Sequence, residues 1–237
     1  LNSYNQLMKF FDNPPAPLDS IKPKHIRDYL NFRNESPVRA NRERALFSHI
    51  FNKAREWGYT DRANPVQGVR GNKETGRDVY VTDALFWRVY DEAAVHVQNT
   101  MMVAYLVGQR VSDVLKIKVT DINDGYIWIK QNKTKSKLRV QVVGQLETMV
   151  NYLLAVREEN NVTHDYLIDN NGNPTTYDSL RYGMDKAREK AGVPKPDFQF
   201  RDLRAKAATD RDDDSGLDDA KNLLGHKSTS MTTDYVR

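Results

Sequence analysis

The sequence contains no cysteine, which excludes a disulfide framework, a thiolate metal site and a cysteine nucleophile. It has no apolar run near the roughly 18–20 residues that a helix needs to cross a bilayer, so no membrane contact is expected. It also shows no signal-peptide pattern, and Leu1 is not an initiator methionine, so we expect a processed or truncated start. A charged fraction of 29% favours a soluble intracellular protein.

The net charge is small, +4 over 237 residues, but it is unevenly distributed. Residues 1–78 carry 14 Lys and Arg against 9 Asp and Glu, whereas the remainder carries 22 against 23. A module that neutralises phosphates would show such a local basic excess. The charge pattern therefore favours nucleic-acid contact in the N-terminal part, with a solvated helix surface as the alternative.

The N-terminal part has the pattern of a small all-α domain. Apolar residues recur at helical spacing within residues 1–12, 18–33 and 36–57, and proline or glycine residues separate these segments. We place this domain at residues 1–70 and a glycine-containing linker at residues 71–79. The third predicted helix carries a basic face, and its candidates for DNA contact are Arg39, Arg42, Arg44 and Lys53.

Residues 80–237 combine helical patterns with one hairpin. Residues 126–129 and 138–142 alternate apolar and polar side chains around a basic turn, which predicts a small antiparallel sheet in a mainly helical domain. Six aspartates lie between residues 210 and 219. We interpret them as a solvated loop that keeps DNA away, because no companion histidine or EF-hand spacing supports a metal site.

The last fifth of the chain concentrates groups suited to phosphodiester chemistry. Arg201 and Arg204 are three apart, so a helix would place them on one face. His226 follows a Leu-Leu-Gly turn, and Tyr235 comes nine residues later in a Thr- and Ser-rich stretch. Arginines can clamp the non-bridging oxygens of a phosphate, an imidazole can handle a proton, and a phenol can act as nucleophile.

A second group of candidates lies earlier in the chain. Arg110 follows an apolar run and a glycine, and Asp113 is expected to hold its guanidinium. A structural ion pair, with Asp113 for Arg110 or with Asp202 for Arg204, is the alternative to phosphate binding. The predicted hairpin adds the cations Lys133, Lys135 and Lys137.

In order and spacing, the motifs around Arg110, Lys133, Arg204, His226 and Tyr235 resemble the tyrosine recombinase, or phage integrase, family. The resemblance implies an all-α core-binding domain followed by the mixed α/β catalytic domain. It implies that the two arginines bind the scissile phosphate and that His226 hydrogen-bonds the phosphate or the tyrosine oxygen. It further implies that Tyr235 forms a 3′-phosphotyrosyl link and leaves a free 5′-hydroxyl.

Two positions need separate comment. Lys133 matches the family's catalytic lysine, which protonates the leaving 5′-oxygen, with Lys135 and Lys137 as competitors that otherwise contact DNA. Arg201 stands where the family usually has histidine. Arginine cannot accept a proton at neutral pH, so we expect Arg201 to keep only phosphate binding, with water or His226 as any base. The alternative is that the change impairs catalysis.

The resemblance therefore implies a site-specific recombinase that cleaves, exchanges and religates duplex DNA at attachment-type sites without a metal or other cofactor. It implies a homo-tetramer on DNA, DNA-bending accessory proteins as further partners, and a place in the bacterial cytoplasm at the host nucleoid. A type IB topoisomerase-like nicking-closing enzyme and a catalytically impaired DNA-binding protein on the same fold stay open as alternatives. We also expect the given sequence to lack the family's arm-binding domain and C-terminal tail.

Overall fold

A computed structural model of the protein describes residues 2–237. The predicted fold class is confirmed, because helices dominate and the strands form only two small antiparallel sheets. The chain divides into two compact units, the first ending at Arg77 and the second beginning at Asp78. Residues 71–77, which the sequence suggests as linker, lie in the first unit. Within residues 2–237, no helix combines the length and apolarity that a membrane crossing requires.

Three α-helices build the first unit, and each corresponds to one helical pattern of the sequence. Pro23 and Pro37 are the first residues of the second and third helices. At this position the backbone N–H has no partner within the helix, so proline, which lacks it, loses no hydrogen bond. The bounds are Asn2–Phe11 for α1, Pro23–Phe32 for α2 and Pro37–Glu56 for α3.

Aromatic rings and one buried carboxylate hold these helices together. Phe11 stacks on Tyr29 and Phe47, with ring centroids 5.6 and 4.8 Å away. The Tyr29 hydroxyl donates to Glu43 Oε2 at 2.7 Å, and Arg33 Nε donates to the same oxygen at 2.9 Å. Burial and the neighbouring Glu43 charge raise the pKa of Tyr29. The buried Glu43 carboxylate accepts hydrogen bonds from both Tyr29 and Arg33. It therefore joins α2 to α3 without leaving its charge uncompensated.

The second unit contains helices, a three-stranded sheet and a two-stranded sheet. Its helices are α4 (Asp83–Tyr90), α5 (Val95–Val107), α6 (Val111–Val114), α7 (Gln145–Glu159), α8 (Tyr177–Ala191), α9 (Asp202–Ser215), α10 (Leu217–Leu224) and α11 (Thr229–Thr233). Its strands are β1 (Ile122–Asn123), β2 (Tyr126–Lys130), β3 (Lys137–Gln141), β4 (Asp169–Asn170) and β5 (Asn173–Pro174). The sheets have the orders β1-β2-β3 and β4-β5.

Helix α5 lies at the centre of the second unit. It contacts α7, α8 and α9, and no residue from Val97 to Val107 is exposed, as expected for an enclosed helix. The predicted hairpin forms from β2 and β3, with Trp128 opposite Arg139. Ile127 and Ile129 are buried while Trp128 is exposed, so the alternation in the sequence directs one sheet face to the core.

The loop interpretation of residues 210–219 is wrong. Helix α9 continues to Ser215 and α10 begins at Leu217, so only Gly216, with a φ of +87°, interrupts the helices. Aspartate has a low helix propensity, but tertiary contacts override it here. Asp210 accepts hydrogen bonds from the Tyr80 and Tyr105 hydroxyls, both at 2.7 Å.

Asp210 is part of a network around the buried Lys206, whose side chain is 2% exposed. The Lys206 ammonium lies 2.5 Å from Asp83 Oδ1 and 2.9 Å from Asp210 Oδ2. It also lies 5.2 Å from the Tyr80 ring centroid and 5.3 Å from that of Tyr105. Burial alone would lower the pKa of Lys206, but the two carboxylates reverse this and raise it. The network joins α9 to α5 and to the chain just before α4.

Candidate active site

The first arginine of the site is presented by a sharp turn after α5. Gly108 ends that helix with a φ of +62°, and a Cβ there would lie 2.9 Å from Leu223 Cγ. Glycine is therefore required both by the backbone and by the close approach of α10. Arg110 precedes the first residue of α6, and its Nη1 is buried without a hydrogen-bond partner. Such an unpaired buried guanidinium N–H is costly unless an anion or water satisfies it.

The second arginine, Arg204, lies in the first turn of α9 and is 3% exposed. Its Nη1 donates to Gly108 O at 2.7 Å and to Gln109 Oε1 at 3.3 Å. Its Nη2 donates to Leu224 O at 2.9 Å and to His226 Nε2 at 3.0 Å. These partners are carbonyl, amide and imidazole groups, so they fix the guanidinium without neutralising its charge.

His226 follows the end of α10, where Gly225 adopts a φ of +66°. Its Nε2 must be the acceptor toward Arg204, since a guanidinium has no acceptor. In the neutral ring the proton therefore resides on Nδ1, which donates to Thr232 Oγ1 at 3.1 Å. Burial, and next the positive charges of Arg204 and Arg110, lower the pKa of His226 to about 4. The imidazole is consequently uncharged near neutral pH.

Tyr235 lies just after α11 and is half-buried. Its ring centroid is 5.2 Å from that of His226, and the Arg204 guanidinium lies 5.3 Å from the Tyr235 centroid. A turn holds it, with the backbone N–H of Tyr235 donating to Thr232 O at 2.8 Å. Thr232 thus contacts both His226 and the tyrosine turn.

The structure therefore brings Arg204, His226 and Tyr235 into direct contact, and Arg110 is close enough to lower the pKa of both Arg204 and His226. Burial, and next the charge of Arg110, lower the pKa of Arg204. Two neighbouring cations, both with unpaired buried N–H groups, are suited to an anionic ligand between them. A phenol and a neutral imidazole beside that ligand provide a nucleophile and a proton acceptor.

Arg201 is not part of this cluster. It is the exposed residue that precedes α9, whereas Arg204 is buried. Arg201 has helical backbone angles, with a φ of −65° and a ψ of −21°, so its exposure and not its backbone conformation distinguishes it from Arg204. Arg201 lines a separate cavity of about 300 Å³ with Tyr177 and Lys195.

Asp113 does not have the contact predicted for it. Its Oδ1 accepts a hydrogen bond from the backbone N–H of Asn132 at 2.9 Å, and its Oδ2 is buried without a hydrogen-bond partner. No hydrogen bond or ion pair between Asp113 and Arg110 occurs among residues 2–237. The carboxylate instead anchors the turn between β2 and β3.

The hairpin lysines Lys133, Lys135 and Lys137 are exposed. In the part of the chain that the structure describes, none of the three makes a hydrogen bond or ion pair to Arg110, Arg204 or His226 through its side chain. Lys135 has a φ of +58°, so it forms the tight part of the turn. Lys133 therefore extends from a hairpin beside the arginine cluster, without contacting it.

The four candidates on α3 differ in their availability. Arg39 and Arg42 are exposed. Arg44 is half-buried and donates to Val69 O, which holds the chain that follows α3. Lys53 pairs with Glu56 at 2.7 Å. Of these four candidates, only Arg39 and Arg42 have no side-chain hydrogen bond or ion pair in the part of the chain that the structure describes.

Two buried glutamines, Gln109 and Gln131, lie at the centre of the site although no sequence pattern singles them out. Each is 1% exposed, and Gln109 bonds Arg204 directly. The only available signal is position, because Gln109 precedes Arg110 and Gln131 opens the lysine turn.

Comparison with known proteins identifies relatives of the chain. A sequence profile of the phage integrase family matches residues 84–237. The integrase of Escherichia phage HK022 is 27% identical over 234 residues, and the integrase of Escherichia phage lambda is 27% identical over 243 residues. Each alignment covers 94% of this chain and 65% of the relative, so the chain spans about 65% of the length of these relatives.

Solved structures show the same fold. A lambda integrase dimer bound to a COC′ core site matches with a TM-score of 0.85 at 24% identity, covering 100% of this chain and 70% of that one. A lambda integrase tetramer bound to a Holliday junction matches with a TM-score of 0.86 at 23% identity and the same coverage.

Proposed function

Because the chain belongs to the phage integrase family, we propose that it is a site-specific recombinase acting on duplex DNA. It cleaves, exchanges and rejoins strands through a 3′-phosphotyrosyl intermediate formed by Tyr235. The observation that carries this proposal is the contact of Tyr235 with Arg204 and His226, beside the unpaired guanidinium N–H of Arg110.

In the cleavage step, Tyr235 Oη attacks the scissile phosphorus as the bond from phosphorus to the 5′-oxygen breaks. Arg110 and Arg204 stabilise the charge that develops on the non-bridging oxygens. Lys133 gives its proton to the departing 5′-oxygen, and the phenol proton passes to His226 or to water. Attack by a 5′-hydroxyl reverses every transfer, so rejoining needs no nucleotide or metal.

The neutral state of His226 suits it to this role. Its Nε2 lone pair is bonded to Arg204 in the free site. A bound phosphate would draw the Arg204 N–H groups toward its own oxygens and add a negative charge, which raises the pKa of His226. The ring, 5.2 Å from that of Tyr235, then becomes a stronger proton acceptor when substrate is present.

Arg201 keeps phosphate or DNA-backbone contact only, at its exposed position before α9. Arg201→His should therefore change the rate of tyrosine-adduct formation by no more than about threefold. Single-turnover cleavage of a nicked duplex measures this. Loss of cleavage in that variant would instead assign Arg201 a specific role in the reaction.

The first unit serves as the core-binding domain of residues 1–70, followed by a linker at 71–79 and the catalytic domain at 80–237. Its exposed Arg39 and Arg42 are the leading phosphate contacts, and the local basic excess supports this. Protomers assemble as a tetramer on attachment-type sites, as the lambda integrase tetramer on a Holliday junction suggests. DNA-bending accessory proteins complete the set of partners, in the cytoplasm of a bacterial host.

Covalent trapping tests the proposed function. A randomised duplex library is first selected for binding with the Tyr235→Phe variant, which retains the arginines but cannot cleave. Selected sequences are then made as nicked duplexes, from which the cleaved end diffuses away, so that the protein–DNA adduct accumulates on a denaturing gel.

An adduct that requires Tyr235 supports the proposal. Tyr182→Phe is the matched control, since Tyr182 is exposed on α8 and its loss should leave adduct formation unchanged. Sequence-specific binding without any adduct from the wild-type chain would contradict a tyrosine mechanism and favour a DNA-binding protein on this fold.

A further inference from the structure

The two buried glutamines form a continuous hydrogen-bonded path between the lysine turn and the arginine site. Gln131 Nε2 donates to Gln109 Oε1 at 2.8 Å and to Leu224 O at 2.9 Å. Gln131 Oε1 accepts from Thr134 Oγ1 at 2.6 Å. Gln109 Oε1 also accepts from Arg204 Nη1 at 3.3 Å. Thr134 is adjacent to Lys133, so the path begins next to the proposed proton donor.

The orientation of both amides is fixed by their partners. Gln109 Nε2 donates to Leu223 O at 2.6 Å, and its Oε1 faces only donors, namely Arg204 and Gln131. Rotating either amide by half a turn would place N–H against N–H and carbonyl against carbonyl. Because both side chains are 1% exposed, water cannot compensate such a mismatch. The path therefore has one favourable arrangement.

Close packing supports the same arrangement. A Cβ added to Gly225 would lie 2.7 Å from Leu138 Cδ2 and 3.2 Å from Gln131 Nε2. The base of the hairpin is thus pressed against the turn that carries His226. A side chain at residue 225 would separate the two segments.

A second anchor holds the next residue of the hairpin. The backbone N–H of Asn132 donates to Asp113 Oδ1 at 2.9 Å, and its Nδ2 donates to Ser112 O at 3.2 Å. Gln131 is therefore tied to the segments of Arg204 and His226, while Asn132 is tied to the segment just after Arg110. Lys133 follows these two anchored residues, and Thr134 fixes the chain on its other side.

We propose that Gln109, Gln131 and Thr134 are positioning residues that hold the Lys133 turn in register with the arginine clamp. The inference rests on the proposed function, with Lys133 as the proton donor to the 5′-oxygen. A lysine on a free surface hairpin would sample many positions, and each anchor removes some of this freedom before substrate arrives. The path sets where the acid stands relative to the phosphate, without touching the phosphate itself.

Thr134→Val tests this with little change of shape, because it removes the hydroxyl and leaves the Gln131–Gln109 pair in place. We expect it to slow tyrosine-adduct formation on a nicked phosphodiester duplex about fivefold to tenfold, the usual effect of one lost hydrogen bond. Duplex affinity should be unchanged. Thr134→Ser restores the hydroxyl and should recover most of the rate, and Thr163→Val, at an exposed position, should have no effect.

A sulfur-substituted duplex distinguishes positioning of the acid from general damage. When sulfur replaces the bridging 5′-oxygen, the leaving group departs as a thiolate and needs no proton. We therefore expect Thr134→Val and wild type to cleave this duplex at equal rates. In a Lys133→Ala background, Thr134→Val should add no further loss on the phosphodiester duplex, because the two residues act through one step.

Any of four results would decide against the inference. An unchanged phosphodiester rate in Thr134→Val would show that the hydroxyl does not position the turn. Equal slowing on both duplexes, or additive losses with Lys133→Ala, would show a structural effect unrelated to the acid. Absence of a Tyr235 adduct from the wild-type protein on either duplex would overturn the proposed function, and this inference with it.

Discussion

At the scale of single residues, His226 has a tautomer that its neighbours dictate. Arg204 donates to Nε2 and Thr232 accepts from Nδ1, so the ring is neutral and oriented before any substrate binds. Protonation would place two N–H groups toward Arg204 and Thr232, beside two guanidinium charges. Burial and these neighbouring positive charges disfavour the protonated ring, which is why the pKa of His226 is low.

This predicts a loss of stability in mild acid. The pKa of His226 is about 4 in the folded chain and near the ordinary histidine value of about 6.5 when unfolded, so the unfolded state binds the proton first. The contribution of neutral His226 to the free energy of unfolding is complete above pH 6.5 and declines as pH falls toward 4. Allowing for partial exposure, we expect about 1–2 kcal/mol.

Urea unfolding at pH 7 and pH 4.5 measures this effect in wild type and in His226→Gln. The variant should lose less stability between the two pH values, since its side chain does not titrate. His49→Gln, at an exposed position on α3, is the control and should follow wild type. Identical pH slopes in wild type and His226→Gln would contradict the prediction.

At the scale of elements, the turn before His226 depends on glycine in two ways. Gly225 has a φ of +66° and lies against Leu138 and Gln131, whereas Gly216 has a φ of +87° and open space around it. Gly216→Ala should therefore cost only backbone strain, about 1–3 kcal/mol, because a φ of +87° with a ψ of 166° lies in a region that glycine alone adopts readily. Gly225→Ala adds a clash and should cost about 2–3 kcal/mol.

The two variants separate strain from packing. Urea unfolding gives the free-energy difference, and adduct formation gives the effect on the site. We expect Gly225→Ala to slow cleavage because it displaces the hairpin that carries Lys133, and Gly216→Ala to leave cleavage near wild type. If both variants slow adduct formation equally, the contact between Gly225 and the hairpin is unimportant for cleavage.

Periodicity and turn residues predict most elements of this chain, but not the contacts that organise the site. The three helices of the first unit and the β2–β3 hairpin follow from local patterns, with bounds shifted by a few residues. The prediction that the acidic stretch is a loop is wrong because contacts with Lys206, Tyr80 and Tyr105 hold Asp210 in the helix. The two tyrosines are distant from it in sequence.

The site shows the same division. The candidate roles of Arg204, His226 and Tyr235 follow from the family resemblance, and the structure brings these three together. The anchoring roles of Gln131 and Asp113 could not be predicted, since their partners lie 22 and 19 residues away and glutamine carries no chemical signature. Residue type reveals chemistry, but positioning is a property of tertiary contacts.

At the scale of the whole molecule, the basic excess of the first unit should govern the salt dependence of DNA binding. Arg39→Gln and Arg42→Gln remove exposed charges, and each should reduce the slope of log affinity against log salt by about 0.9 if it contacts a phosphate. Arg44→Gln should lower stability instead, because Arg44 holds Val69 O.

Affinity for a selected duplex at several salt concentrations tests this, with Arg211→Gln on the exposed side of α9 as the control. Arg211 lies in the acidic stretch, so its loss should leave the slope unchanged. Equal slopes for wild type and the double variant of Arg39 and Arg42 would place the phosphate contacts elsewhere.

The network around Lys206 also determines where the chain can be cut. The family profile begins at residue 84, but Tyr80 and Asp83, before that point, surround the buried ammonium. A fragment of residues 84–237 would lack Asp83 and the Tyr80 ring, so Lys206 would keep only the Asp210 carboxylate. A fragment of residues 78–237 keeps both carboxylates and the ring. We expect the longer fragment to have a free energy of unfolding about 2–4 kcal/mol larger, and therefore to melt at a higher temperature. The boundary of sequence similarity is thus not the boundary of the folding unit, and fragments for crystallisation should begin at Asp78.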